Sequence, residues 1–259
     1  MLWAFFFFLL VVVVIIIIAC VVKGIPLVPP ATSLPIEHFN TIDPKKVFIY
    51  MVATPEVGNY ANHSININNE YAKKHGYRFQ VFTKNATPDL PINFSKIQNA
   101  LDIMNSNDAP EYIVHLDADA VVVRPEYPIT NIINHYMLGA GMIIGEDCYD
   151  KSICSKPGQI NSGVFIVKNS TMGRKILNRW LNSARGTCSR YVNQFPNCQL
   201  VFGNCVLPAL RMFINIIPYN VMNGKDGLFI QHLMQHTSNE RIEFFKKVGR
   251  TQMGRRMVF

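Results

Sequence analysis

None of the six cysteines is spaced as CxxC, and no zinc-ribbon pattern can be assembled from them. Cys20 lies inside an apolar run. The other five (Cys148, Cys154, Cys188, Cys198, Cys205) are odd in number, so at least one stays unpaired within the domain, and spacing names no pair. No internal repeat is visible. Charge is sparse and lopsided: 17 Asp and Glu stand against 25 Lys and Arg, a formal net charge of +8. Part of that excess gathers at the carboxyl end, in Arg241, Lys246, Lys247, Arg250, Arg255 and Arg256. It reads as a solvated helix face and tail, or as an attraction for anionic phosphates or lipid headgroups. Aromatic residues do not interleave with it as a single-strand nucleic-acid platform requires, so nucleic acid is not an expected partner.

What is abundant is apolar. Residues 2–22 are without a polar side chain, long enough to cross ~30 Å of hydrocarbon as a helix. A cleaved signal peptide has a shorter apolar core and a basic start; nothing basic precedes Leu2, so an uncleaved transmembrane signal anchor is expected. Orientation is contested. Lys23 on the carboxyl side favours a cytoplasmic domain by the positive-inside tendency. The acceptor sequons at Asn62, Asn85, Asn93 and Asn169 favour a type II protein with its domain in the Golgi or ER lumen. Residues 23–44 carry Pro26, Pro29, Pro30, Pro35 and Pro44 and read as an extended stem. One α/β domain then occupies 45–250, with a basic tail at 251–259.

Periodicity sets out that domain. Strands are expected at 45–53, 77–83, 112–116, 142–145, 163–167, 213–217 and 229–232. Helices are expected at 59–75, where His63, Ile67 and Tyr71 share a face, and at 95–105, with Ile97, Leu101 and Met104 inward. Further helices are expected at 129–136, 171–181 and 239–248, and residues 199–212 read as helix interrupted by Gly203 and Pro208. The order β-α-β-loop-α-β argues for a mainly parallel, doubly wound sheet.

The chain is organised around Glu111-Tyr-Ile-Val-His-Leu-Asp-Ala-Asp-Ala-Val-Val-Val123. Its apolar run ends on Asp117 and Asp119, and the carboxyl ends of parallel strands are where α/β sheets bind ligands. Two carboxylates whose backbones lie ~6–7 Å apart can reach one hard cation, and such ions commonly bridge protein acids to phosphates. The plain alternative is a turn capped by Asp117 with Asp119 solvated.

Several segments together resemble the GT-A glycosyltransferases that use nucleotide sugars, in the galactosyl/xylosyl/α-mannosyltransferase group of the yeast galactomannan and plant xyloglucan enzymes. They are Asn62-His-Ser, Tyr71-Ala, His75-Gly-Tyr77-x-Phe79, Lys96-Ile-x₂-Ala-Leu101 and His115-Leu-Asp-Ala-Asp-Ala120. Asn161-Ser-Gly-Val-Phe-x-Val-Lys168, Gly227-Leu-Phe-Ile-Gln-His232 and Asn239-Glu-Arg-Ile-Glu complete the set. The resemblance implies a single Rossmann-like GT-A domain behind the transmembrane helix. It implies transfer of a hexose or pentose from a UDP- or GDP-sugar to a glycan or glycoconjugate, with retention of configuration and dependence on Mn²⁺ or Mg²⁺. Asp117, Asp119 and His232 would hold the metal. Lys96 would face the donor phosphate, Thr54 and Tyr60 the base and ribose, with Asp117 also near the ribose, and Asn161 and Gly163 the donor sugar. His115, inside the strand, reads as structural.

Two departures stand out. The family's acidic-Gln pair before an Ala-Leu helix has its nearest counterpart in residues 202–210, which hold no carboxylate, so Asp147 or Asp150 would have to take the acidic role. The glycine-containing stretch after the late histidine is replaced by Leu233-Met-Gln-His236. These leave room for a membrane-tethered sugar-binding scaffold without turnover. A haloacid-dehalogenase-type phosphatase, which also places Asp-x-Asp after a strand, is the more distant alternative.

Overall fold

The computed structural model describes residues 42–147, 159–224 and 226–256, with side chains to residue 251. The apolar run at 2–22, most of the Pro-rich stretch and Asp150 lie outside the described residues. Among the described residues no helix is long and apolar enough to cross a membrane.

Six strands form one sheet in the order β2-β1-β3-β6-β5-β7: Arg78–Phe82, Val47–Val52, Tyr112–Asp117, Ile160–Lys168, Met142–Glu146 and Ile214–Ile217. Pairing is parallel except at β6, which runs antiparallel to both β3 and β5. The sheet is therefore mainly parallel, as expected. β6 is antiparallel to its sequence neighbour β5, an arrangement that needs no crossover of the kind a parallel return requires.

Helices cover both faces: α1 (Gly58–His75), α2 (Ser95–Met104), α3 (Ile129–Tyr136) and α4 (Thr171–Arg185). The sequence reasons are local. α1 stops at Gly76, whose φ of 72° places it in the left-handed region that glycine tolerates, and its cap N–H bonds Lys73 O. α4 opens on Ser170, whose hydroxyl accepts from Gly173 N. Ile97, Leu101 and Met104 are buried as their spacing predicts, and Trp180 is fully buried with its indole N–H bonded to Cys198 O.

Two expectations are corrected. His63 is half-exposed; the buried stripe of α1 is Tyr60, Ser64, Ile67, Asn68 and Tyr71. After Asp119, where no strand was expected, residues Ala120–Val122 form a short strand, β4, paired antiparallel with β8 (Ile230–His232) in a separate ribbon. The interrupted helix at 199–212 is instead a continuous train of turns, from α5 (Asn197–Val201) through a π-helical turn to α6 (Leu207–Leu210). α7 (Tyr219–Met222) precedes β8, and the last helix, α8, runs from Ser238 to Arg256, past its expected end.

Candidate functional site

The topology carries five pieces of chain to one rim. Val52 lies opposite Asp117 and Leu116 opposite Val164, so β1 and β3 end where β6 begins, beside Asn161, Ser162 and Gly163. Gly145 pairs with Asn161, which brings the end of β5 and Asp147 to the same place. Ala120 pairs with His232, so the ribbon folds the late histidine back over the aspartates.

The Asp117–Asp119 turn is fixed from below by α1. Ser64 Oγ donates to Ala118 O at 2.6 Å, Asn68 Nδ2 donates to Ala120 O at 2.8 Å, and Asn68 Oδ1 accepts from Val122 N at 3.0 Å. Both side chains are fully buried. Neither was singled out by sequence, although two polar residues four apart on an otherwise apolar helix stripe are the signal that a helix is serving someone else's backbone.

Asp117, Asp119 and His232 each offer a ligand atom within 4.8 Å of one another. His232 Nε2 is 3.0 Å from Asp119 Oδ1 and 3.9 Å from Asp117 Oδ2. Its ring is seated against Gly163, a position where any Cβ would collide with it. Two carboxylates and an imidazole whose Nε2 faces both are a donor set acceptable to Mn²⁺, so the residues present fit a divalent cation.

Cations already flank the acids. The buried Lys96 donates to Asp117 Oδ1 at 3.0 Å and to Ser162 O at 2.9 Å. Arg241, near the start of α8, donates from Nη2 to Asp119 Oδ2 at 2.7 Å and from Nε to Leu233 O, with its guanidinium 4.8 Å above the Tyr60 ring. Sequence grouped Arg241 with a solvated basic tail. The structure turns it inward, because Thr237 and Glu240 form a capping box that fixes the first turn of α8.

These charges set the titration. Burial alone would raise the Asp117 carboxyl, but Lys96 and the His115 hydrogen bond outweigh it and hold it well below the usual carboxylate range. Burial drives His115 down to about 4, so it is neutral and its Nε2–H donates to Asp117 at 2.8 Å. Burial works against protonation of His232 too, yet Asp119, then Asp117, raise it. His115 is thus structural in the sense expected, with the further task of orienting Asp117.

A second polar group adjoins. Asn161 Nδ2 and Gln199 Nε2 donate to the two oxygens of Asp147, at 3.2 and 2.6 Å, and Gln199 Oε1 accepts from Ser162 N. The expected counterpart at 202–210 is elsewhere engaged: Phe202, Val206 and Leu210 are in the core. An acid and a glutamine do meet beside Asn161, but from Asp147 and Gln199, 52 residues apart in sequence. Gln199 was missed because its partner is remote along the chain. Thr54 follows β1 at the same rim, and Tyr60 lies in the first turn of α1 beneath Arg241.

Comparison with known proteins follows the same lines. Residues 44–156 match the galactosyl transferase GMA12/MNN10 family. An alpha-1,2-galactosyltransferase of Schizosaccharomyces pombe is 24% identical over 199 residues, 64% of this chain. The chain spans about half, 51%, of that relative's length. The solved glycosyltransferase involved in glycosylation of the major capsid of PBCV-1 shares the fold, with a TM-score of 0.64 at 18% identity over 78% of this chain and 98% of that one. Residues 44–156 are thus similar to the galactosyl transferase GMA12/MNN10 family, and the chain has the fold of the PBCV-1 glycosyltransferase structure.

Proposed function

We propose that the protein moves a hexose or pentose from a nucleotide-diphosphate sugar to a glycan or glycoconjugate acceptor, in a metal-dependent and configuration-retaining reaction. The observation that carries this reading is the convergence of Asp117, Asp119 and His232 at the sheet's rim with the buried Lys96 beside them. A divalent cation held by those three residues would supply charge neutralisation for a diphosphate leaving group. Lys96 adds a point charge to the same side and, being buried, acts where water screens little. Thr54 and Tyr60 face the base and ribose, and UDP or GDP is the donor nucleotide.

Asn161, Asp147 and Gln199 together offer amide donors and carboxylate acceptors suited to sugar hydroxyls, and Gly163 lets backbone approach. This grouping supplies the acidic-Gln combination that residues 202–210 lack, and so favours turnover over a sugar-binding scaffold. The domain works in an oxidising lumen under this reading. The Cys188–Cys205 disulfide supports that placement, since cytosolic conditions keep such thiols reduced.

The test is a screen of UDP- and GDP-sugars with the purified protein, following donor turnover over a panel of glycan acceptors with Mn²⁺ or with EDTA. Mn²⁺-dependent release of nucleoside diphosphate that Asp119→Asn abolishes is the expected result. Donor binding without turnover on any acceptor selects the scaffold instead, and neither binding nor turnover sinks both.

A further inference from the structure

Asp119 lends its two carboxylate oxygens to two different neighbours. Oδ1 faces His232 Nε2 at 3.0 Å, inside the group of atoms suited to a cation, while Oδ2 is held by Arg241 at 2.7 Å. The Asp119 and Arg241 side chains are only 14% and 16% exposed, so this pair is shielded and charge-assisted rather than a surface contact. The guanidinium is held in place by Leu233 O and the face of Tyr60. Its bonds to Leu233 and Asp119 draw on Nε and Nη2, out of five N–H donors.

A divalent cation seated on Asp119 withdraws electron density from that carboxylate and repels the neighbouring guanidinium. Binding of bare cation therefore works against Arg241. A pyrophosphate arriving with the cation reverses this, because it offers a fork-shaped donor the oxygens it has lost on Asp119. Arg241 sits between Asp119 and the ring of Tyr60, the residue that faces the base and ribose under the reading above.

We propose that Arg241 is an exchange latch: it neutralises Asp119 while the cleft lacks a cation, and passes its guanidinium to a phosphate oxygen when cation and pyrophosphate enter together. Cation and diphosphate then bind cooperatively, through one positioning residue that touches both. The inference rests on the diphosphate-sugar reading but reaches further, since a phosphate-binding arginine elsewhere would give no such coupling.

The probes are Mn²⁺ alone, followed by its spin resonance signal, and inorganic pyrophosphate, titrated with and without Mn²⁺. In the unaltered protein pyrophosphate should raise Mn²⁺ affinity by about tenfold, within the usual range of such couplings. Arg241→Ala should bind bare Mn²⁺ as tightly or more tightly, lose that enhancement, and bind Mn²⁺–pyrophosphate ~10-fold more weakly. Arg241→Lys should restore part of the enhancement. General damage to the site weakens both probes, and that outcome overturns the latch, as does an unchanged enhancement in Arg241→Ala. If the unaltered protein binds Mn²⁺ without responding to pyrophosphate, the latch fails while a metal site survives. If it binds no Mn²⁺ at all, the proposed function falls with it.

Discussion

Gly163 and His232 occupy one another's space: a Cβ at residue 163 would lie 2.0 Å from Cε1 of the imidazole and 2.8 Å from its Nε2. A residue near the start of β6 thus determines whether a histidine 69 positions later can face two aspartates. Gly163→Ala must push the ring away. Its expected effect is a loss of Mn²⁺ affinity of 10-fold or more, within the ~10–100-fold seen when a ligand's support is removed. Titration of the Mn²⁺ spin signal measures it, with circular dichroism to check the fold. Unchanged affinity would remove His232 from the ligand set.

Lys96 is the counter-ion of Asp117, and it is buried. Lys96→Met leaves Asp117 with His115, His232 and solvent, and costs about 1–3 kcal/mol, below the usual range for a broken buried pair because the Asp117 side chain keeps 34% exposure. Added Mn²⁺ replaces the missing charge. Thermal unfolding should therefore separate the variant from the unaltered protein more in EDTA than in Mn²⁺. An equal gap in both conditions would mean that lysine and cation do not share the carboxylate.

Asn68 bonds Ala120 O and Val122 N from a helix that contributes no proposed metal ligand. Asn68→Ala removes both of these buried hydrogen bonds, at a cost of about 2–4 kcal/mol. Because those bonds flank Asp119, Mn²⁺ affinity should fall as well. Chemical denaturation and metal titration on the same variant check both. A stable variant with normal metal binding would show that the turn holds itself.

The Cys188–Cys205 disulfide ties the end of α4 to the π-helical turn beyond Gln199. Protein made in an oxidising compartment should yield the linked peptide on digestion without reductant. Replacing both cysteines by serine should cost about 2–4 kcal/mol, read from the shift in denaturation midpoint. Fully reduced peptides from such protein would overturn the pairing and the luminal placement it supports.

Much of the framework is written in short-range pattern. The strand ending on Asp117, the α2 stripe of Ile97, Leu101 and Met104, and the stop at Gly76 each depend on neighbours within a few residues, where periodicity and backbone preference act. The acids themselves are legible for the same reason, since both belong to one turn. Tertiary structure decided what those acids would meet. Strand pairing set His232 opposite Ala120, Arg241 reached Asp119, and Gln199 found Asp147 across the fold. Such contacts join residues far apart in the chain, so their energy appears once the sheet has formed and leaves no local trace in the sequence.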